Sequence, residues 1–289
     1  GFGLSVDAAF SLVQNAGIDV LIDLSGHTAG NWLQVMALRP APIQMTYLGY
    51  PNTTGLATLD YRITDAFADP THTSQPYTET LIRLPQCFLC YTPPSSLPPV
   101  ASSPLKASGR VTFGSFNTLG KTSDEVVRVW SRILLLVEGS RLVLKGKVFH
   151  DGTVKRSWEK KFLAHGVDSS RVDLLPLTRT NREHLALYSR VDVALDTFPY
   201  AGTTTTCESL LMGVPVVSLR SRNGHECHAQ NVGVTLLNQV GLLNLVADSE
   251  QTYIEAAVAL ANDPTRLSNL RDTLRDTLLA SRLCDGPCF

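Results

Sequence analysis

Short β-branched and apolar runs recur along the chain, most of them closed by turn-forming residues, and segments with helical spacing lie between them. Ile18 to Leu24, Ile43 to Leu48, Tyr61 to Thr64, Leu81 to Leu84, Val111 to Phe116, Leu142 to Lys145, Val172 to Leu175, Val191 to Leu195 and Val214 to Leu219 read as strands. Val6 to Asn15, Asp124 to Val137, Val154 to His165, Arg182 to Arg190, Thr205 to Met212, Gln251 to Asn262 and Thr265 to Ala280 carry the helical pattern. Strand and helix alternating at this spacing predict an α/β protein with doubly wound parallel sheets. One stretch breaks the alternation: Thr92 to Gly109 is rich in Pro and Ser and has no period, so it reads as a linker. It divides the chain into an N-terminal lobe (1–92), the linker (93–109) and a C-terminal lobe (110–289) in which the alternation is nearly complete. No repeat of about 34 residues is found, so any tetratricopeptide array is expected outside this sequence.

With 289 residues, 44% of them apolar, the chain can bury two ordinary cores. A net charge of -1 gives no drive toward nucleic acid or anionic membranes, and no run of about 18 apolar residues is found. Six irregularly spaced cysteines read as free thiols, which places the protein in the cytoplasm or nucleus. The sequence opens without Met and inside an amphipathic pattern, so the first lobe is expected to be incomplete.

Asp196 to Glu208 joins a strand to a helix and carries Gly202 followed by Thr203, Thr204, Thr205 and Thr206. Hydroxyl and N–H donors at a helix N-terminus suit phosphate; the alternative is that the threonines cap the helix and Glu208 completes the cap. Thr118 and Lys121 follow the C-terminal lobe's first strand, where doubly wound sheets bind ligands, so Lys121 and the threonines can converge on one diphosphate. His184 opens another helix and suits either a ligand contact or a cap. Loops holding His27, Gly49 and Pro51 follow the first strands and fit either a binding wall or ordinary connections. Cys87-x-x-Cys90 and His225-Glu226-Cys227-His228 lack a second ligand pair at zinc spacing, so no metal site is expected.

Taken together, Ala37 to Gln44, Gly49-Tyr50-Pro51, Phe116 to Lys121, Leu195-Asp196-Thr197 and Gly202 to Thr206 resemble, in order and spacing, the catalytic region of the O-GlcNAc transferase family, nearest its Spindly branch. The resemblance implies a GT-B fold: two Rossmann-like lobes with a nucleotide-sugar donor in the cleft between them. It further implies inverting, metal-independent transfer without a cofactor to Ser or Thr of acceptor proteins. Carried over, Lys121 contacts the diphosphate as the catalytic cation and Thr203 to Thr206 cradle it; Thr118, His184 and Glu208 hold the rest of the nucleotide, and His27, Gly49 and Pro51 line the sugar and acceptor side. Where O-GlcNAc transferases carry His-Thr-Thr, this chain has Thr203-Thr204-Thr205, as Spindly proteins do, and GDP-fucose is the expected donor. UDP-GlcNAc is the alternative, and a non-catalytic nucleotide-sugar-binding or scaffold role the alternative of another class.

Overall fold

The computed structural model describes residues 3–289. The elements run α1 (Val6–Asn15), β1 (Val20–Asp23), α2 (Leu33–Ala37), β2 (Ile43–Thr46), β3 (Tyr61–Asp65), β4 (Thr80–Leu84), α3 (Pro104–Ser108), β5 (Thr112–Ser115), α4 (Asp124–Leu136), β6 (Arg141–Lys145), α5 (Gly152–Ala164), β7 (Val172–Leu175), α6 (Asn181–Ala186), β8 (Val193–Leu195), α7 (Thr204–Leu211), β9 (Val216–Leu219), α8 (His228–Gln239), β10 (Val246–Ala247), α9 (Glu250–Ala261) and α10 (Pro264–Leu279). Two compact units result, one running up to Leu89 and including Asn223–Ala229, the other formed by Cys90–Arg222 and Gln230–Phe289. Among the described residues no helix is long and apolar enough to cross a membrane.

In the first unit four parallel strands lie in the order β1-β2-β3-β4. Side chains of a parallel sheet are ordinarily covered on both faces, which fits Thr46, Arg62 and Thr64, each at most 1% exposed. β1 differs, with Val20 and Ile22 more than 40% exposed.

The second unit has six parallel strands in the order β10-β9-β8-β5-β6-β7. Counted from β5 as the first, this is the 3-2-1-4-5-6 order of dinucleotide-binding folds, and the direction of winding reverses between β5 and β8. The sheet's apolar side chains and its helices explain its stability. Ser123 caps α4 by accepting from Val126 N, two acids follow in the first turn, and the helix buries Val126, Val127, Val129, Trp130, Ile133 and Leu134. Trp130 donates to Tyr253 Oη (3.3 Å), and Tyr253 Oη donates to the backbone oxygen of Asp196 (2.9 Å), so core packing reaches the end of β8.

The predicted strands and helices are present, with shifts at their ends. The helical pattern from Arg182 to Arg190 splits into α6 and a 3-10 turn, Leu187–Arg190. The stretch 93–109 holds the short helix α3 and belongs to the second unit, fastened by Asp192, which accepts from Leu105 N (3.2 Å), Thr112 N (2.9 Å) and Ser103 Oγ. Helix α8 gave no clear sequence signal because its first turn is polar and Gly233, a poor helix former, sits mid-helix. Asp192 is 2% exposed, so its loss strands buried donors. Asp192→Ala should lower the unfolding free energy of the second unit by about 2 kcal/mol. A urea midpoint unchanged from wild type would show that Asp192 does not anchor the 103–105 segment.

Candidate functional site

At the reversal point of the second sheet, the loops leaving β5 and β8 are stitched together by one carboxylate. Asp196 lies just beyond β8 and is 2% exposed. Its Oδ1 accepts from Thr197 N (2.9 Å), Gly202 N (2.7 Å) and Asn117 Nδ2 (3.0 Å), and its Oδ2 accepts from Ser218 Oγ of β9 (2.9 Å). Burial pushes the Asp196 carboxyl up, and these donors oppose the rise. Asn117, just past β5, also accepts from Thr205 Oγ1 (2.5 Å). Gly202 is required there: a Cβ would sit 2.6 to 2.8 Å from the oxygens of Thr205, Asn117 and Thr206.

Lys121 reaches the loop that leads into the threonine segment. Lys121 ends the 3-10 turn Leu119–Lys121, donates to Ala201 O (2.8 Å) and lies 3.5 Å from the centre of the Tyr200 ring. Desolvation lowers its ammonium pKa, with the Asp196 charge pulling the other way. Thr118 is exposed beside it. Thr203 stands at the N-cap position of α7 but makes no side-chain cap bond, so the capping reading of the threonines fails at that residue. Thr204 is exposed, Thr205 half-buried and Thr206 buried.

Glu208 does not complete a cap at α7 either. Its Oε2 meets His184 Nε2 at 2.8 Å, while the cap of α6 is built by Thr180 with Glu183, which leaves His184 free for Glu208. On the other side of the same ring, Lys145 Nζ bonds His184 Nδ1. Lys145 is 7% exposed at the end of β6, and burial brings its ammonium down to about 8, against the raising influence of Glu208. Sequence reasoning missed Asn117, Asp196 and Lys145 as members of this cluster. The signal for Lys145 was available, since it ends an apolar strand run just as Lys121 follows one.

In the first unit, a second set of contacts holds the loop from Gly49 to Gly55. His27 Nε2 lies 2.8 Å from Thr54 O, and its ring packs edge-on against Tyr50 with 5.1 Å between centres. Gly49 must be glycine, because a Cβ would come within 2.0 Å of Leu24 O. Arg62, 1% exposed, donates to Tyr50 O and Asn52 O at 2.8 Å each, on either side of the half-buried Pro51. Glu79 accepts from Thr54 N (2.7 Å) and Thr53 Oγ1 (2.6 Å).

His228, from the segment that returns to this unit, meets Asp69 Oδ2 at 2.7 Å, with Arg62 Nη2 3.4 Å from its other nitrogen. Glu226 of the same segment accepts from Ser74 Oγ (2.6 Å) and Gly224 N (2.8 Å). These bonds give the His225 to His228 motif a structural use. Among the described residues no three His, Cys, Asp or Glu side chains gather as a metal-ligand set.

The second unit therefore has the strand order of the doubly wound α/β class, with a lysine, a helix N-terminus and a His–carboxylate pair around its reversal point, where folds of this class bind ligands. The comparisons place it further. The profile of glycosyl transferase family 41 matches residues 5–93 and 104–288, and the chain belongs to that family. A SPINDLY protein of Eustoma exaltatum subsp. russellianum, described as a probable UDP-N-acetylglucosamine–peptide N-acetylglucosaminyltransferase, is 52% identical over 100% of this chain, which spans 31% of that relative's length. Its Arabidopsis thaliana counterpart of the same description is 51% identical, again over 31% of its own length. Among solved structures, a mutant of the Thermobaculum terrenum O-GlcNAc transferase superposes with a TM-score of 0.89 at 37% identity, over 96% of this chain and 52% of that one. A sucrose-phosphate synthase from Thermosynechococcus elongatus shares the fold, with a TM-score of 0.61 at 14% identity over 95% of this chain and 72% of that one. The two-unit parallel α/β fold is thus of the GT-B type.

The Asp69 pair makes a measurable difference to acid stability. Burial works to raise the Asp69 carboxyl, but the hydrogen bond and charge of His228, with bonds from Thr64 and Tyr77, hold it at about 2. A carboxyl depressed from 3.8 to about 2 contributes stability above its unfolded value and loses it as pH falls toward 2. Asp69→Asn should therefore cost about 2 kcal/mol at neutral pH, with the gap to wild type closing between about pH 4 and pH 2. A constant gap across that range, in urea titrations at several pH values, would show that the charge of Asp69 contributes nothing.

Proposed function

We propose that this chain forms part of the catalytic region of a protein O-glycosyltransferase that moves a sugar from a nucleotide diphosphate to Ser or Thr, with GDP-fucose as donor. The observation that carries this reading is the bond of Lys121 to Ala201 O, which brings a full positive charge to the loop leading into the N-terminus of α7. Attack by the acceptor oxygen forms the new bond at the anomeric carbon and breaks the bond to the diphosphate, and the hydroxyl proton leaves to a base. Negative charge grows on the departing phosphate, where Lys121 and the N–H groups of α7 stabilise it. Glu208, with a carboxylate that only accepts hydrogen bonds, suits nucleoside hydroxyl or N–H donors. Acceptors are intracellular proteins, in keeping with six cysteines that form no disulfide among the described residues, and tetratricopeptide repeats elsewhere in the protein would present them.

Thr203, where the O-GlcNAc transferases have histidine, favours the fucose donor. A second reading, UDP-GlcNAc, is favoured by the descriptions carried by the SPINDLY relatives. Thermal shift with GDP, UDP, GDP-fucose and UDP-GlcNAc separates the two. The preferred ligand at 100 times its Kd should stabilise the fold by about 2.7 kcal/mol. Greater stabilisation by the guanosine pair is expected, and preference for the uridine pair would reverse the donor assignment. Donor binding with no mass transfer to any acceptor protein would favour the scaffold reading.

The charge on the leaving group is larger in the transition state than in the bound donor, so Lys121 should matter more for turnover than for affinity. In the full-length protein Lys121→Ala should lower kcat by about 100-fold or more, roughly 3 kcal/mol, with a much smaller loss of nucleotide affinity. Lys121→Arg should recover little, because a planar fork does not replace a compact point charge. Near-normal kcat in Lys121→Ala would return the residue to the role of an ordinary surface lysine.

A further inference from the structure

Lys145 is buried at the end of β6, and among the described residues no carboxylate is bonded directly to it. Its ammonium donates instead to Nδ1 of His184, whose Nε2 faces Glu208 Oε2 at 2.8 Å, and it lies 5.3 Å from the centre of the Phe116 ring. Three side chains from β6, α6 and α7 thus form one line, cation to imidazole to carboxylate. Each end fixes the middle. With an ammonium pointing at Nδ1, that nitrogen must offer its lone pair, so the ring carries its proton on Nε2 and donates it to Glu208. Oε2 of Glu208 is then occupied, and the carboxylate can turn only its other oxygen to a ligand.

We propose that Lys145 is a positioning residue that, through the ring of His184, sets the orientation of Glu208 for the nucleotide of the donor. The inference rests on the nucleotide-sugar reading given above. A buried lysine is costly to keep, and its ammonium brought down to about 8 is still mostly charged at neutral pH, so the donor role holds under ordinary conditions. His184 is faced by Lys145 from β6, by Glu208 from α7 and by the rings of Phe116 and Tyr188. Tyr91 and Cys207 are the further ionisable groups around Glu208 and its neighbours. If Lys145 is removed, Nδ1 loses its donor, and the ring is no longer held in the tautomer that donates to Glu208.

The test is a double-mutant cycle in nucleotide affinity, measured by calorimetry with GDP and UDP. Lys145→Met and Glu208→Gln should each weaken binding by about tenfold, and the double variant should be no weaker than Glu208→Gln alone, because both changes act through one chain of contacts. Lys145→Arg, which keeps a cation able to donate to Nδ1, should recover part of the affinity lost in Lys145→Met. Lys145→Gln, which keeps an N–H donor without the charge, guards against loss of the fold and should show the same coupling to Glu208. Additive losses, about 100-fold in the double variant, would overturn the inference by showing that Lys145 touches the ligand independently. A wild-type chain that binds neither GDP nor UDP would overturn the nucleotide reading itself along with the inference, a result distinct from additivity.

Discussion

A buried carboxylate just past or at the end of a parallel strand must be satisfied by donors, and in this protein that requirement shapes the loops. Asp196 takes four donors: Ser218 of β9, Asn117 two residues past β5, and two backbone N–H groups of its own loop. Asp23 at the end of β1 accepts from Ser25 N, Gly26 N and Thr46 Oγ1, and Asp65 at the end of β3 accepts from Phe67 N, Ala68 N and Phe88 N. All three are at most 7% exposed. An unpaired charge at that depth costs several kcal/mol, so each loop is confined to conformations that bring its N–H groups inward. Rigidity at the carboxyl ends of the strands follows from this confinement.

The consequence is clearest around Asp196. Once its oxygens hold Gly202 N and Asn117, the chain must turn into α7 at that point, and the side chain of Thr205 is drawn to Asn117. Ala201 O is left facing the 3-10 turn after β5, where Lys121 reaches it. The lysine and the helix start are therefore placed together by a residue that need never meet a ligand. The first unit uses the same device with a different charge, since Arg62 holds Tyr50 O and Asn52 O and fixes the loop around Pro51.

Much of this could be read from the sequence because the information is local. Strand runs, helix periods and the helix expected from Thr205, which begins at Thr204, depend on neighbours a few residues apart, and the approach of Lys121 to the loop before that helix was expected from strand ends in one sheet. What was not legible depends on distant partners. Asp196 was visible as part of a motif, but its use required Ser218, 22 residues on, and Asn117, 79 residues back. Likewise, Glu208 looked like a candidate cap until His184 on α6 claimed it. The stretch 93–109 lacks any period, yet Asp192 binds it to the sheet from 87 residues away. Helix α8 was hidden by its own composition, because tertiary packing overrides a mid-helix glycine.

Under the proposed function, the charges of the second unit's site would favour an anion although the lysines and carboxylates cancel. Lys121 and Lys145 stand against Asp196 and Glu208, a formal sum near zero before the helix contributes its partial charge of roughly +0.5. Position decides the field. Asp196 is turned inward and its oxygens are saturated by fixed donors, and Glu208 has one oxygen held by His184, so much of the negative charge is already engaged. Lys121 is only half-buried and bonds to a neutral carbonyl, an interaction that a phosphate oxygen can replace with a stronger, charge-assisted one. The first N–H groups of a helix have no intrahelical partner, and Thr203 supplies no side-chain cap to those of α7. In the proposed function, an anion bound there would remove two mismatches at once, the lysine on a neutral acceptor and the helix start without a side-chain cap, without requiring any buried carboxylate to move.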